Sequence, residues 1–115
     1  MTSSRVPLVL PLIAACVLLV PRIAGSAENE SATITDQERS EARELVASHC
    51  GSCHADYGMK PGKGPQLAGT QMTEREVEQR IHDGKPGYMP PFKLLLKEDQ
   101  IKLMAKYIKS LKPES

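Results

Sequence analysis

Cys50-Gly51-Ser52-Cys53-His54 is the segment from which the architecture of this chain follows. It lies at the end of a predicted helix that opens on a capping box, Thr35-Asp36-Gln37-Glu38, where the threonine hydroxyl and the glutamate carboxylate each satisfy a free backbone N–H. A structural zinc site needs two further soft ligands at a second short spacing, and a redox-active dithiol needs a preceding strand; the sequence offers neither. A plain disulfide suits an exported chain but leaves the histidine without a role.

Covalent haem attachment gives both cysteines and the histidine of this motif a role. Two thiols at this spacing can add to two vinyl groups of a porphyrin, and the adjacent His54 then supplies a ring nitrogen to the iron. The motif therefore predicts a haem c that is bound through Cys50 and Cys53, with His54 as one axial ligand. Because such attachment takes place outside the cytoplasm, a haem c predicts that the N-terminus contains a signal for export.

The N-terminus has the pattern of a secretory signal peptide. Arg5 precedes an apolar run over residues 6–20, which is short for a membrane span and is interrupted by proline, so an uncleaved membrane anchor is the less favoured alternative. Small residues at 24–27 then precede a polar, acidic stretch, as at a signal-peptidase site. Ile13-Ala14-Ala15-Cys16 is similar to a bacterial lipobox, which would make Cys16 a lipid anchor, but the residues after Cys16 stay apolar. We expect an exported, periplasmic protein.

The length and composition indicate one small domain that needs a disulfide, a metal or a cofactor for stability. We expect residues 1–27 to be the signal peptide, 28–34 a disordered leader and 35–115 the folded domain. A domain of this size is marginal without a disulfide, metal or cofactor, and with Trp 0, Phe 1 and Tyr 3 its aromatic side chains fill little of a core. The net charge of +1 argues against a dedicated nucleic-acid binder.

Apolar periodicity predicts an all-α domain with three helices and no strand. The first helix begins after Thr35, the second begins at the capping box Thr73-Glu74-Arg75-Glu76 and ends at Gly84, and the third runs from about Glu98 to Leu111. Two Gly/Pro-rich loops, residues 55–71 and 85–97, connect them. Loops of this length in so small a domain usually carry function.

Residues 42–111 resemble the small class I c-type cytochromes of bacteria. Besides the cysteine motif, Gly64-Pro65-Gln66-Leu67-Ala68-Gly69 is similar to the family's G-P-x-L-x-G loop, and Gly87-Tyr88-Met89-Pro90-Pro91-Phe92 is similar to its distal-ligand segment. The resemblance implies a cytochrome c-like fold whose three helices and two loops wrap around one covalently bound haem c. Three positions depart from the common residues of the family: Ala42, Val46 and Lys97.

The resemblance also implies roles for single residues. The Pro65 carbonyl accepts a hydrogen bond from the second ring nitrogen of His54, and Met89, which precedes a proline, is the other axial ligand of the iron. Met59 lies too close to His54 to reach the opposite side of a porphyrin, and His82 is the weaker competitor. We expect five residues to line the haem pocket: Tyr88, Phe92, Leu67, Ile81 and Tyr107.

A haem held by histidine and methionine has no open coordination position, which favours one-electron transfer over catalysis. We expect an electron-transfer protein rather than an enzyme, a monomer that carries electrons between a periplasmic dehydrogenase and an oxidase or reductase. The alternative is a haem subunit that works only within a membrane-tethered or dehydrogenase/reductase complex; a haem enzyme is the less favoured one.

Lysines are candidates for steering such partners. Four loop lysines are expected to guide an acidic partner surface: Lys60, Lys63, Lys85 and Lys93. The helical spacing places three further lysines on the solvent-exposed face of the third helix: Lys102, Lys106 and Lys109.

Overall fold

The computed structural model describes residues 33–115. The order of the elements is α1 (Asp36–His49), β1 (His54–Ala55), a short 3-10 helix (Asp56–Gly58), β2 (Lys60–Pro61), α2 (Glu74–Asp83) and α3 (Glu98–Ser110). The expected signal peptide, the lipobox ending at Cys16 and residues 28–32 of the expected leader lie outside the described residues. Within residues 33–115 no helix is long and apolar enough to cross a membrane.

The first two helices begin where their capping boxes predict. The Thr35 N–H donates to the Glu38 carboxylate at 2.8 Å and the Glu38 N–H donates back to the Thr35 hydroxyl at 3.2 Å. Thr73 and Glu76 repeat this arrangement at 2.7 and 3.2 Å. Each box satisfies two of the N–H groups that a helix start leaves free, so these two starts can be read from the sequence alone.

Lys97, which departs from the common cap residue, changes the start of α3. A lysine side chain has no acceptor atom, so only half of a capping box forms: the Lys97 N–H donates to the Gln100 side-chain oxygen at 2.9 Å. The helix ends at Ser110, one residue earlier than expected, and Leu111 follows in extended conformation.

Helix α3 is the centre of the domain because it packs against both α1 and α2. Its buried face meets Ala42 and Val46 from α1 and Val77 and Ile81 from α2. Burial of this apolar stripe is the main force that holds short helices together. The buried residues of α3 are Ile101, Met104, Ala105, Tyr107 and Ile108.

Ile34 corrects the boundary between leader and domain. The sequence pattern assigns it to a disordered leader, yet it is only 8% exposed and belongs to the same core cluster as α1 and α3. Its burial depends on contacts with residues distant in sequence, which local patterns do not reveal. The folded domain therefore includes Ile34.

A two-stranded ribbon corrects the expectation that the domain has no strand. β1 and β2 pair antiparallel, with His54 opposite Pro61 and Ala55 opposite Lys60. The chain reverses between them through Asp56, Tyr57 and Gly58, which all have positive φ. Two of these are not glycine, so the sequence carried no clear signal for the turn. Four strand residues leave the domain all-α.

Candidate functional site

One cavity of about 290 Å³ lies among α1, α2 and the two long loops. Its walls are largely apolar, and the lining includes the residues expected to attach the haem, to ligate its iron or to hold the ligand: Cys50, Cys53, His54, Pro65, Tyr88 and Met89. Residues 39 positions apart in the chain thus meet around one space.

The end of α1 places the two thiols. The N–H groups of Cys53 and His54 both donate to the Cys50 carbonyl, at 3.0 and 2.8 Å, so the motif continues as a tight turn. Both cysteines are free thiols, which argues against the plain disulfide. Burial, followed by the charge of the neighbouring Cys53, raises the pKa of the Cys50 thiol to about 11. A redox-active dithiol needs the opposite shift, and here a helix rather than a strand precedes the motif.

His54 is buried and held by the loop that follows β2. Its Nδ1 lies 2.8 Å from the Pro65 carbonyl oxygen, which fixes Nδ1 as the protonated nitrogen and leaves Nε2 with a free lone pair. Gly64 makes this approach feasible, because a β-carbon there would lie 2.7 Å from His54 Cε1. The hydrogen bond implied by the family resemblance is present in the structure.

Met89 sits at the end of a closed turn. Lys85 and Met89 exchange two backbone hydrogen bonds, at 2.7 and 2.8 Å, and the Tyr88 N–H donates to the Lys85 carbonyl at 2.9 Å. Pro86 and Gly87 occupy the middle of this turn, with Gly87 at φ +79°, as a type II turn requires. The backbone of this loop is therefore ordered, and Met89 is presented to the cavity from a fixed position.

Gly84 supports the same turn from its base. The residue has φ +69° and a β-carbon there would collide with the Met89 carbonyl oxygen and lie 2.6 Å from the Pro90 carbonyl carbon. A glycine at the end of α2 therefore lets the methionine loop fold back tightly against the helix.

The charged side chains of the cavity lining are cationic, and one of them, Arg80, was not expected from the sequence. Lys63, Arg80 and Lys85 line the cavity, and the lining contains no aspartate or glutamate. None of the three forms an ion pair within residues 33–115. Such a cavity suits a ligand that is apolar over most of its surface and also carries carboxylates. Arg80 could not be singled out because the spacing of α2 alone does not say which face meets a loop.

Four of the five expected lining residues reach the cavity, but Tyr107 does not. Its ring is fully buried in the core, and its hydroxyl donates to the Tyr57 carbonyl at 3.1 Å. Burial also raises the pKa of Tyr107. Tyr88 lines the cavity only at its rim, where it is 82% exposed and Lys85 Nζ lies 4.9 Å from its ring centroid.

The competing ligands lie elsewhere or make other contacts. Met59 does not line the cavity. His82 faces the other side of α2, where its Nδ1 bonds the Asp83 carboxylate at 2.7 Å and its Nε2 lies 3.5 Å from Glu98. His49 does line the cavity and packs edge-on against Phe92, with ring centroids 6.3 Å apart. In the described part of the chain no three His, Cys, Asp or Glu side chains converge on a metal-sized site, which disfavours structural zinc.

Residues 37–108 match the family described as "Cytochrome C oxidase, cbb3-type, subunit III". This match spans more than half of the chain. The chain belongs to this family of c-type cytochromes. No curated protein matches the chain at a significant level.

Solved structures of c-type cytochromes share the fold of this cytochrome domain. The KustC0563 c-type cytochrome has TM-score 0.55 at 23% identity, covering 62% of this chain and 96% of that one. The c-type cytochrome NirC has TM-score 0.53 at 24% identity, with 64% and 91% covered. Cytochrome c6 from the diatom Phaeodactylum tricornutum has TM-score 0.52 at 24% identity, with 61% and 88% covered. The expected all-α cytochrome c fold is confirmed.

The cavity of this cytochrome domain fits the covalently bound haem c that its family implies. Two unpaired thiols, an oriented imidazole and a thioether share one space, and Gly64 leaves room beside the imidazole. The three cations supply partners for carboxylates. When bound, a haem supplies a one-electron couple between Fe(II) and Fe(III).

Proposed function

We propose that this protein is a monohaem c-type cytochrome that carries single electrons between redox proteins outside the cytoplasm. The observation that supports this most is the convergence of Cys50, Cys53, His54 and Met89 on one cavity. Cys50 and Cys53 would hold one haem through thioether bonds. His54 and Met89 would be its axial ligands, and Pro65 and Tyr88 would contribute to the pocket.

The chain's own residues keep this site fixed, which is what a fast one-electron carrier requires. The Pro65 carbonyl holds the ring of His54, and the paired backbone of Lys85 and Met89 holds the methionine. The imidazole and the thioether belong to ordered segments, so neither has to move when the charge of the site changes.

A pyridine haemochrome spectrum of the purified protein tests the cofactor, together with acid–acetone extraction and the ratio of iron to protein. We expect one haem c per chain that stays with the protein after extraction. A redox titration should then give one reversible one-electron wave, with no binding of cyanide or carbon monoxide at moderate concentration. Extractable haem, or rapid binding of these ligands to the native protein, would contradict the proposal.

We propose export to the periplasm and, as partners, a dehydrogenase as donor and an oxidase or reductase as acceptor. The signal-like residues 1–27 and the requirements of haem attachment support the location. Mass spectrometry of the protein purified from cells tests it, since a chain that begins at Glu28 indicates cleavage and a lipid on Cys16 indicates an anchored form.

The family name supports a second candidate, a haem subunit of a larger complex. The matched family is named for a subunit of an oxidase, and a chain with this domain could serve such a complex. Native gel electrophoresis with haem staining separates the two, because a free carrier migrates as a small protein and a subunit migrates with its complex. An enzyme is the weaker candidate: the dihydro-haem d1 dehydrogenase NirN has a similar domain, but the chain covers only 16% of that protein.

We propose that lysines of the two loops guide an acidic partner protein to the cavity through long-range electrostatic attraction. Lys63 and Lys85 lie at the cavity, whereas Lys60 faces Asp56 at 3.5 Å and Lys93 faces Asp83 at 3.5 Å. Replacing all four with glutamine should slow electron transfer with the physiological partner at low salt and flatten its ionic-strength dependence. Lys112→Gln is the matched control outside the loops. An unaltered salt dependence in the fourfold variant would place docking on another face.

A further inference from the structure

The exposed apolar side chains of this domain are concentrated in one segment. Within residues 33–115, the large hydrophobic side chains classed as exposed are Tyr57, Tyr88, Leu94 and Leu95, at 39, 82, 89 and 68%. Three of the four lie in residues 85–97, the connection between α2 and α3, here called the α2–α3 segment. Two adjacent leucines with so much exposed surface are unusual on a soluble domain, and they indicate a surface that contacts a membrane or another molecule.

The leucines protrude from an ordered turn. The N–H groups of Leu95 and Leu96 donate to the Phe92 carbonyl at 2.9 and 2.8 Å, and Phe92 and Leu96 are themselves buried in the core. The Phe92 N–H donates to the Ile81 carbonyl at 3.0 Å, which fixes the turn to α2. Leu94 and Leu95 therefore form a rigid apolar apex.

Positive charge accompanies this apex. The α2–α3 segment contains Lys85, Lys93 and Lys97 and no aspartate or glutamate. Of the acids at its two ends, Asp83 bonds His82 and pairs with Lys93 of the segment, and Glu98 lies 3.5 Å from His82. Asp99 follows in the first turn of α3, where its carboxylate accepts from the Gln100 N–H at 3.0 Å. Lys85 and Lys97 have no acidic partner within residues 33–115.

We propose that the α2–α3 segment docks on an anionic lipid bilayer, with Leu94 and Leu95 inserted among the lipid chains and the lysines at the headgroups. A protruding apex needs no matching hollow in a fluid bilayer, whereas a protein partner would have to supply one. Leucine at the tip, lysine beside it and Tyr88 at the edge are the composition that favours a membrane interface. Because Tyr88 and Met89 also line the cavity, docking turns the cavity rim towards the membrane.

Co-sedimentation of the processed, haem-loaded protein with vesicles tests this independently of electron transfer. The vesicles contain phosphatidylethanolamine with a quarter phosphatidylglycerol, or phosphatidylcholine alone. We expect binding to the anionic vesicles that weakens with salt, and weak binding to the neutral ones. Leu94→Ser with Leu95→Ser should lower the partition coefficient roughly tenfold or more, because the apolar contact is lost. Lys85→Gln with Lys97→Gln should lower it several-fold, about fivefold for each lysine at most, and flatten the salt dependence.

Two matched controls lie outside the segment. Tyr57→Ser removes the remaining exposed large hydrophobic side chain and Lys112→Gln removes an exposed lysine, and both should bind like the unaltered protein. The exposure of both leucines makes a folding defect unexpected, and the visible spectrum and thermal unfolding of each variant check this. Absence of wild-type binding, or equal binding of the double-leucine variant, would overturn the proposal.

Discussion

Gly64→Ala is the sharpest single test of how the loop after β2 holds His54. The added β-carbon would lie 2.7 Å from His54 Cε1 and 3.1 Å from Nδ1, closer than such contacts occur in folded proteins. Gly64 has no left-handed backbone, so the substitution adds volume without adding backbone strain. The imidazole must move or the loop must retreat, and either movement lengthens the 2.8 Å bond between Nδ1 and the Pro65 carbonyl.

The size of the effect follows from the two contacts that change. Over-packing by one methyl group at a closely packed site costs about 1–3 kcal/mol of unfolding free energy. For a domain of this size, that cost corresponds to a fall in Tm of roughly 5 to 20 °C. The bond from Nδ1 makes the imidazole a stronger electron donor, which favours the oxidised iron. Loss of this hydrogen bond, which is worth about 0.5–1.5 kcal/mol, should therefore raise the midpoint potential of the haem by roughly 20 to 60 mV.

Thermal unfolding and a spectroelectrochemical titration of the haem-loaded variant measure both quantities. Gly69→Ala is the matched control in the same loop: its φ of +77° makes the substitution strained, but its new β-carbon would meet only Pro113. The control should lose stability and keep its potential. If Gly64→Ala kept the native Tm and potential, the loop would not position His54 and the reasoning from this contact would be wrong.

Three further predictions concern the ligand, the attachment and acid stability. Met89→Ala should lose the sulfur-to-iron charge-transfer band and bind added imidazole, while Met59→Ala should do neither; the reverse pattern would contradict the ligand assignment. Cys50→Ser with Cys53→Ser should make any bound haem extractable, and the apoprotein should be largely unfolded by circular dichroism. An apoprotein that unfolds cooperatively would contradict this. Hydrogen bonds from the N-cap backbone and from a lysine of α3 lower the pKa of Glu38 to about 2. Its contribution to stability is thus present above pH 4.5 and is lost as the pH falls towards 2, so Glu38→Gln should flatten the acid decline of Tm.

Local chemistry explains how much of this fold the sequence could predict. Thr35 and Thr73 each cap a helix through a side chain three residues from its partner, so both starts fall where the capping boxes indicate. The cysteine motif predicts Cys50, Cys53 and His54 as site residues, and the family resemblance adds Pro65 and Met89. The structure brings all five to one cavity. The turn around Gly87 also carries a local signal in the sequence, the Pro86-Gly87 pair.

The features that escaped prediction depend on contacts between distant residues. Ile34 is buried only because α1 and α3 meet beside it, and Arg80 lines the cavity only because the loops close over that face of α2. Asp56 and Tyr57 adopt positive φ without being glycine, and the surrounding structure stabilises them: the Tyr57 carbonyl accepts from Tyr107, and Arg43 lies 3.9 Å over its ring. No short window of sequence contains these relations.

The lysines of α3 show why charge read from a helix face needs the structure. The helical spacing assigns Lys106 and Lys109 to a solvated face, but Lys106 Nζ lies 2.9 Å from the Glu38 carboxylate on α1. Lys109 Nζ donates to the carbonyls of Thr70 and Met72 at 3.1 and 2.7 Å. A loop with little regular hydrogen bonding is thereby fixed to the central helix, just before α2 begins. These two charges tie α3 to α1 and to the first long loop, which leaves steering and docking to the lysines of the two loops.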